Sequence, residues 1–304
     1  MKKILTKLLL IFLLMETNAM AQEAENQKYQ FGVRWSVDGV PSSMRIQDIL
    51  LNFTGTPSHL DTRLPVSQYI RNGKNKVNLN SWPMQYEPDS ELKVSLLYWE
   101  PGQNPNTEAS TAFDVVMKPG QNDADPEVVF LDPGAPLQPL ENDIEFKRFE
   151  DYDTLEVVFD NRQQMPTWCW EEGDVLSDTD AVRDSLVREY RRLHALFEAR
   201  NNDALMNASS TMIEELALAS GEPEAYVRQR ASYDMFFDNP NLFELAPLPE
   251  KSMTLNLAAE NRVAWLTTEG VNEPIRFNEV GQEGRSSYVS LYFIRRNGQW
   301  EICR

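Results

Sequence analysis

Residues 178–197 read DTDAVRDSLVREYRRLHALF. Val182, Leu186, Tyr190, Leu193 and Phe197 recur at steps of three and four, so a helix would carry them on one apolar face. Ser177 or Asp178 supplies the cap, and acids in the first turn suit a helix N-terminus. The period continues downstream. A segment from about Asp203 to Ala219 places Leu205, Ser209, Met212 and Leu216 on one side, and Gly221 ends it. Another starts at Pro223 and runs to about Phe237, where Asp238-Asn239-Pro240 stops it. After these only strand signals occur: 253–257, 262–267, 274–277, 288–295 and, beyond an Asn297-Gly298 turn, 299–303. Helices followed by antiparallel strands define an α+β domain.

Upstream the pattern is all-β. Residues 29–37 (YQFGVRWSV) alternate bulky and small side chains before Asp38-Gly39. Further strands are predicted at 44–53, 77–79, 92–99 (LKVSLLYW) and 112–117, punctuated by Asn72-Gly73, Pro101-Gly102 and Pro119-Gly120. Strands at this spacing predict a β-sandwich. Residues 119–141 hold Pro119, Gly120, Pro126, Pro133, Gly134, Pro136 and Pro139, a density that reads as a linker, with Val128–Leu131 its one strand candidate. A strand at 155–159 (LEVVF) and the aromatic stretch 165–170 (MPTWCW) follow it. The expected organisation is a sandwich over 22–118, a linker over 119–141 and an α+β domain over 142–304.

Two stretches carry resemblances. Leu64 to Leu79, LPVSQYIRNGKNKVNL, resembles a segment of galactose-binding-like jelly-roll β-sandwiches, in which a short helical turn leads through a Gly-x-Asn turn into a core strand. Val66, Tyr69 and Ile70 would cap one end of the sandwich. Gly73 would take a positive φ, and Asn75 would bond its own backbone. Residues 292–302, YFIRRNGQWEI, preceded by the helices, resemble the closing strand–turn–strand of the NTF2-like (SnoaL/ketosteroid-isomerase-like) family. That resemblance covers about 178–304 and implies helices over a curved antiparallel sheet, a cone with a pocket inside it.

The N-terminus has Lys2, Lys3 and Lys7, an apolar run from Leu8 to Met15 and Ala19-Met20-Ala21, the three parts of a cleavable signal peptide over 1–21. The expectation is export to a bacterial periplasm, with no membrane insertion after cleavage. The net charge is −18. Phosphate backbones and anionic membranes are repelled by such a chain, while a cationic protein partner is steered to it. Cys169 and Cys303 are the only two cysteines. In an oxidising compartment they can form one disulfide, or remain two buried thiols. Two Cys and two His without ligand spacing predict no metal, and no cofactor motif occurs: neither a P-loop nor Gly-x-Gly-x-x-Gly nor Gly-x-Ser-x-Gly.

Three candidate pocket residues remain. His194 lies beside the apolar stripe, where it could act as a base in a pocket or sit hydrogen-bonded at the core rim. Tyr226 and Tyr233, seven apart, would share a helix face at a pocket mouth or pack in the core. The leading expectation is a non-catalytic protein-binding protein, an inhibitor, immunity-type protein or envelope adaptor, whose partner is another protein, cationic in character. The alternatives are an NTF2-like enzyme or small-ligand binder, and carbohydrate binding by the sandwich through Trp82, Tyr98 or Trp99.

Overall fold

A computed structural model describes residues 28–54, 59–82, 90–118, 125–268 and 272–304. The expected signal peptide, and 119–124 of the expected linker, lie outside them. The chain is a β-rich, two-part fold with several antiparallel sheets and its helices in the C-terminal half. It divides into two compact units, one up to Thr167 together with Ala219–Gly221, the other Trp168–Leu218 together with Glu222–Arg304.

The first unit holds β1 (Gln30–Asp38), β2 (Ser42–Ile46), β3 (Ile49–Thr54), β4 (His59–Pro65), β5 (Gly73–Ser81), β6 (Glu91–Trp99), β7 (Ser110–Met117), β8 (Glu127–Phe130), β9 (Leu137–Arg148) and β10 (Asp153–Asn161). One five-stranded sheet runs β4-β1-β6-β7-β8 and the other β3-β2-β5-β10-β9. Alternation decides which side chains turn inward. Phe31, Val33, Trp35 and Val37 of β1 are buried, as are Leu155, Val157 and Phe159 of β10. The inward faces meet where Phe113 of β7 packs on Phe159, ring centres 5.7 Å apart.

The Leu64–Leu79 segment folds as its residue types require. A short 3-10 turn, Ser67–Tyr69, sits between the buried Val66 and Ile70. Gly73 has φ +71°. Buried Asn75 closes the turn, its Oδ1 accepting from Arg71 N at 2.8 Å and its Nδ2 donating to Gly73 O at 2.7 Å.

Two sequence readings are corrected here. The single strand expected over 44–53 is the hairpin β2–β3, turned by Gln47 and Asp48, both at positive φ. The boundary expected near 140 lies near 167. Strand β8 pairs with β7, and β9 and β10 extend the second sheet from β5. Proline does not prevent this. Pro139 sits in β9, the outermost strand of its sheet, beside the register shift opposite Val157 and Phe159, where a missing N–H costs no ladder bond.

The second unit opens with α1 (Cys169–Glu172) and α2 (Asp180–Glu198), then α3 (Asn202–Ala208), α4 (Ser210–Ser220), α5 (Glu224–Arg230) and α6 (Asp234–Asp238). The cap of α2 is Thr179, whose Oγ1 accepts from Val182 N at 3.3 Å. The expected stripe, Val182, Leu186, Tyr190, Leu193 and Phe197, is its buried face. Strands β11 (Phe243–Leu245), β14 (Arg276–Glu279) and β15 (Ser286–Tyr288) form one sheet in the order β11-β14-β15. Strands β12 (Thr254–Ala258), β13 (Val263–Thr267), β16 (Phe293–Arg296) and β17 (Gln299–Ile302) form another in sequence order. Leu186, Tyr190, Leu193 and Phe197 of the α2 stripe share one core with Ala264, Leu266, Phe277 and Phe293. Asn297 and Gly298 both take positive φ, the type I′ geometry of a two-residue hairpin.

The helix expected over 223–237 is interrupted after Arg230. Ser232 Oγ accepts from Asp234 N at 3.1 Å and donates to Asp234 Oδ2 at 2.6 Å. Asn202 Nδ2 donates to both Ser232 Oγ and Asp234 Oδ1 at 3.0 Å. A serine hydroxyl that bonds the backbone two residues on competes with helix continuation and here wins. The expected 203–219 helix is likewise divided, at Ser209.

Candidate functional site

The face of α2 next to its buried stripe carries Arg191, His194 and Glu198, spaced three and four apart. They form one wall of a groove of about 620 Å³ in the second unit. Phe236 and Phe237 of α6, Pro240, β11 and Pro247–Leu248 form the other wall, and Phe197 and Phe277 lie in the floor. The aromatic rings are packed on one another. Phe236 stacks on Phe277 with centres 4.2 Å apart and planes within 4°. Phe243 meets Phe236 edge-on at 5.2 Å, and Phe197 meets Phe277 at 5.9 Å. At one end the backbone N–H of Val280 donates to Leu242 O at 2.9 Å. This sets Leu242, 57% exposed, across from Val280, 50% exposed, which lines the groove.

Three polar groups of the groove, Arg191, His194 and Glu250, are engaged. Arg191 grips Glu250 with two bonds, 2.8 and 2.7 Å, and holds its carboxyl below the usual carboxylate range. His194 Nε2 lies 2.9 Å from Ala246 O. A carbonyl only accepts, so Nε2 is the donor of this bond. Among the described residues no carboxylate bonds to His194, so the histidine–carboxylate pair that orients many catalytic imidazoles is not assembled.

His194 therefore lines the groove. Tyr226 and Tyr233 do not meet at its mouth, because the break after Arg230 separates them. Tyr226 is half exposed under the Arg230 guanidinium at 5.6 Å. Tyr233 packs edge-on against Phe197 at 4.8 Å, and burial raises its phenol pKa. Of the aromatics considered for sugar stacking, Trp99 is buried with its Nε1 on Gln30 Oε1 at 2.8 Å, Tyr98 is bonded to Asp132, and Trp82 packs on Phe53 at 5.6 Å.

Cys169 and Cys303 form a disulfide, Cα atoms 6.0 Å apart. Glu215 and Arg304 are bonded to each other beside it, and Arg304 lies 5.8 Å from the Trp168 ring centre. Glu215 also accepts from the Cys169 N–H. The ligand atoms of Cys169, Glu215 and Cys303 cluster within 4.8 Å, yet the sulfurs are spent on each other and the carboxylate on the guanidinium. This group ties β17 to α1 rather than offering a metal a place.

A second buried acid escaped the sequence reading. Glu273 is 8% exposed, and its Oε2 has no hydrogen-bond partner. Burial pushes its carboxyl up to about 8, against a hydrogen bond with Ser290 that lowers it. Tyr190, whose phenol is raised by burial and by Glu273, has its oxygen 3.2 Å from Leu291 O and 3.3 Å from Leu266 N. Nothing in the Asn-Glu-Pro context of Glu273 marks it among 47 acids. No family model, no characterised protein and no solved structure matches this chain.

Proposed function

We propose that this chain is an exported, non-catalytic protein-binding protein that works in a bacterial periplasm and takes its partner at the aromatic groove of its second unit. The observation that carries this is the pairing of Leu242 and Val280 in solvent at the end of a floor of stacked phenylalanines. Exposed apolar area beside a preformed concavity is costly to leave uncovered and marks interaction sites. The engaged state of His194, Arg191 and Glu250 supports binding over chemistry. The fold reading that accompanies the proposal is a jelly-roll-type sandwich for the first unit and an NTF2-like cone for the second. The facing five-stranded sheets and the order of helices before sheets support it.

One observation favours a second reading, a small-ligand binder or enzyme of the NTF2-like kind. A buried carboxyl beside Tyr190, held protonated near neutrality, is what a proton donor in a dry site requires. Against it, Tyr190, Phe197, Phe277 and Phe293 fill the space around α2.

Affinity capture from native periplasm separates the two. Tagged mature protein is expected to retain a protein that the variant L242S/V280S loses. Equal recovery by both would refute the groove as the binding face.

A further inference from the structure

The charges around the groove are unequal in their freedom. Arg191 is spent on Glu250, and Arg200 reaches Phe237 O at 3.4 Å. Glu198 and Glu244 line the groove and make no ion pair among the described residues. Beyond Glu244 and Val280 the surface continues into a hollow that also holds Glu279 and Glu283, equally unpaired, with Arg285 its one cation. The apolar pair Leu242 and Val280 is thus bordered by free carboxylates, on a chain of net charge −18.

We infer that the groove takes an extended segment of a cationic protein, with an apolar side chain set on Leu242 and Val280 and flanking lysines or arginines against Glu244 and Glu279. This rests on the proposed function and adds the chemistry of the partner. The apolar anchor is fixed by the stacked floor, where burial of a large side chain supplies most of the affinity. The flanking cations follow from complementarity, which sets partner choice and encounter rate more than affinity. A second copy of this chain is disfavoured as occupant, because its own acidic lip would face this one. An anionic lipid surface is disfavoured for the same reason.

The test uses the full mature chain and three synthetic probes of about ten residues, alternating Leu/Lys, Leu/Glu and Ser/Lys, followed by fluorescence anisotropy at low ionic strength, where surface charge is least screened. The Leu/Lys peptide is expected to bind about tenfold or more tighter than either other probe. Both L242S/V280S and E244Q/E279Q are expected to lose about tenfold of that affinity. E141Q/E150Q, which removes the same charge from exposed positions of the first unit, is expected to leave it unchanged. Equal or tighter binding of the Leu/Glu peptide overturns the inference. So does equal weakening by E141Q/E150Q, which would mean that net charge alone attracts the probe. Should native capture depend on Leu242 and Val280 while the probes show no preference for lysine, the partner chemistry fails and the groove stands. Should capture ignore the groove, the proposed function itself fails.

Discussion

Two buried carboxylates of the second unit make an instructive pair. Glu215, beside the Cys169–Cys303 disulfide, is 9% exposed, and Glu273, near Tyr190, is 8% exposed. Burial does not distinguish them. Glu215 has a guanidinium and a backbone N–H as partners, while Glu273 has a serine and an oxygen with none. The first region can keep a charge in the interior because a countercharge travels with it. The second keeps its group inside by holding on to a proton. One difference in partners therefore separates a charge-paired clasp from a pH-sensitive weak point within a single unit.

The largest effect expected follows from removing the countercharge. Arg304→Met leaves Glu215 buried without its cation and should cost about 3–5 kcal/mol in denaturant unfolding of the second unit. The double variant Arg304→Met/Glu215→Gln should recover much of the loss, since a neutral pair no longer strands a charge. If the single variant unfolds at the wild-type midpoint, the pair contributes nothing and the contrast with Glu273 disappears.

Glu273 supplies the next. Its folded pKa lies above its ordinary value, so the folded state binds more protons across the window from about 4.5 to about 8. Its stabilising proton is fully in place below that window, and stability falls as pH rises through it. The slope is about 1.4 kcal/mol per pH unit, or roughly 3 kcal/mol between about pH 5.5 and 7.5. Glu273→Gln should flatten that dependence, read as the difference between two series of unfolding midpoints. Parallel curves for wild type and variant would show that the carboxyl is already ionised in the folded chain.

Much of the fold was legible because local rules and tertiary packing agree. The stripe from Val182 to Phe197 needed only the helical period, and Asn297-Gly298 needed only turn chemistry. Cys169, between Trp168 and Trp170, and Cys303, three residues after Trp300, could be read as a pair in one unit. The boundary was not legible, because Pro133, Pro136 and Pro139 describe a linker until one knows that β9 is an edge strand with a bulge, where proline is tolerated. Of the groove, only His194 was visible. Its floor and wall bring together Phe197, Phe236, Phe243 and Phe277, whose separation along the chain leaves no local pattern. Glu273 was hidden more completely still, since burial of a single acid is a property of the fold around it.

The smallest effect expected concerns the knot that broke the third helix. Ser232→Ala removes the hydroxyl that accepts from Asp234 N and from Asn202 Nδ2, a serine turn just ahead of α6. Loss of such a side-chain-to-backbone bond costs about 1 kcal/mol. The residues are exposed or half-buried, so no cavity penalty is added. Removing the hydroxyl also removes the competitor to helix continuation, so α5 and α6 should gain helical content across 231–233 and Tyr233 should rotate towards the face that Tyr226 occupies. Phe236 and Phe237 turn with it, and the groove wall moves. Hydrogen exchange at the amides of Tyr233 and Asp234, together with binding of the Leu/Lys probe, reads both consequences. A variant that loses about 1 kcal/mol of stability with groove binding intact would show the knot to be a local turn alone. Weakened binding at that same small cost would show that the break in the helix is what shapes the groove, and that its aromatic wall depends on a polar cluster rather than on the charge pairing that distinguishes Glu215 from Glu273.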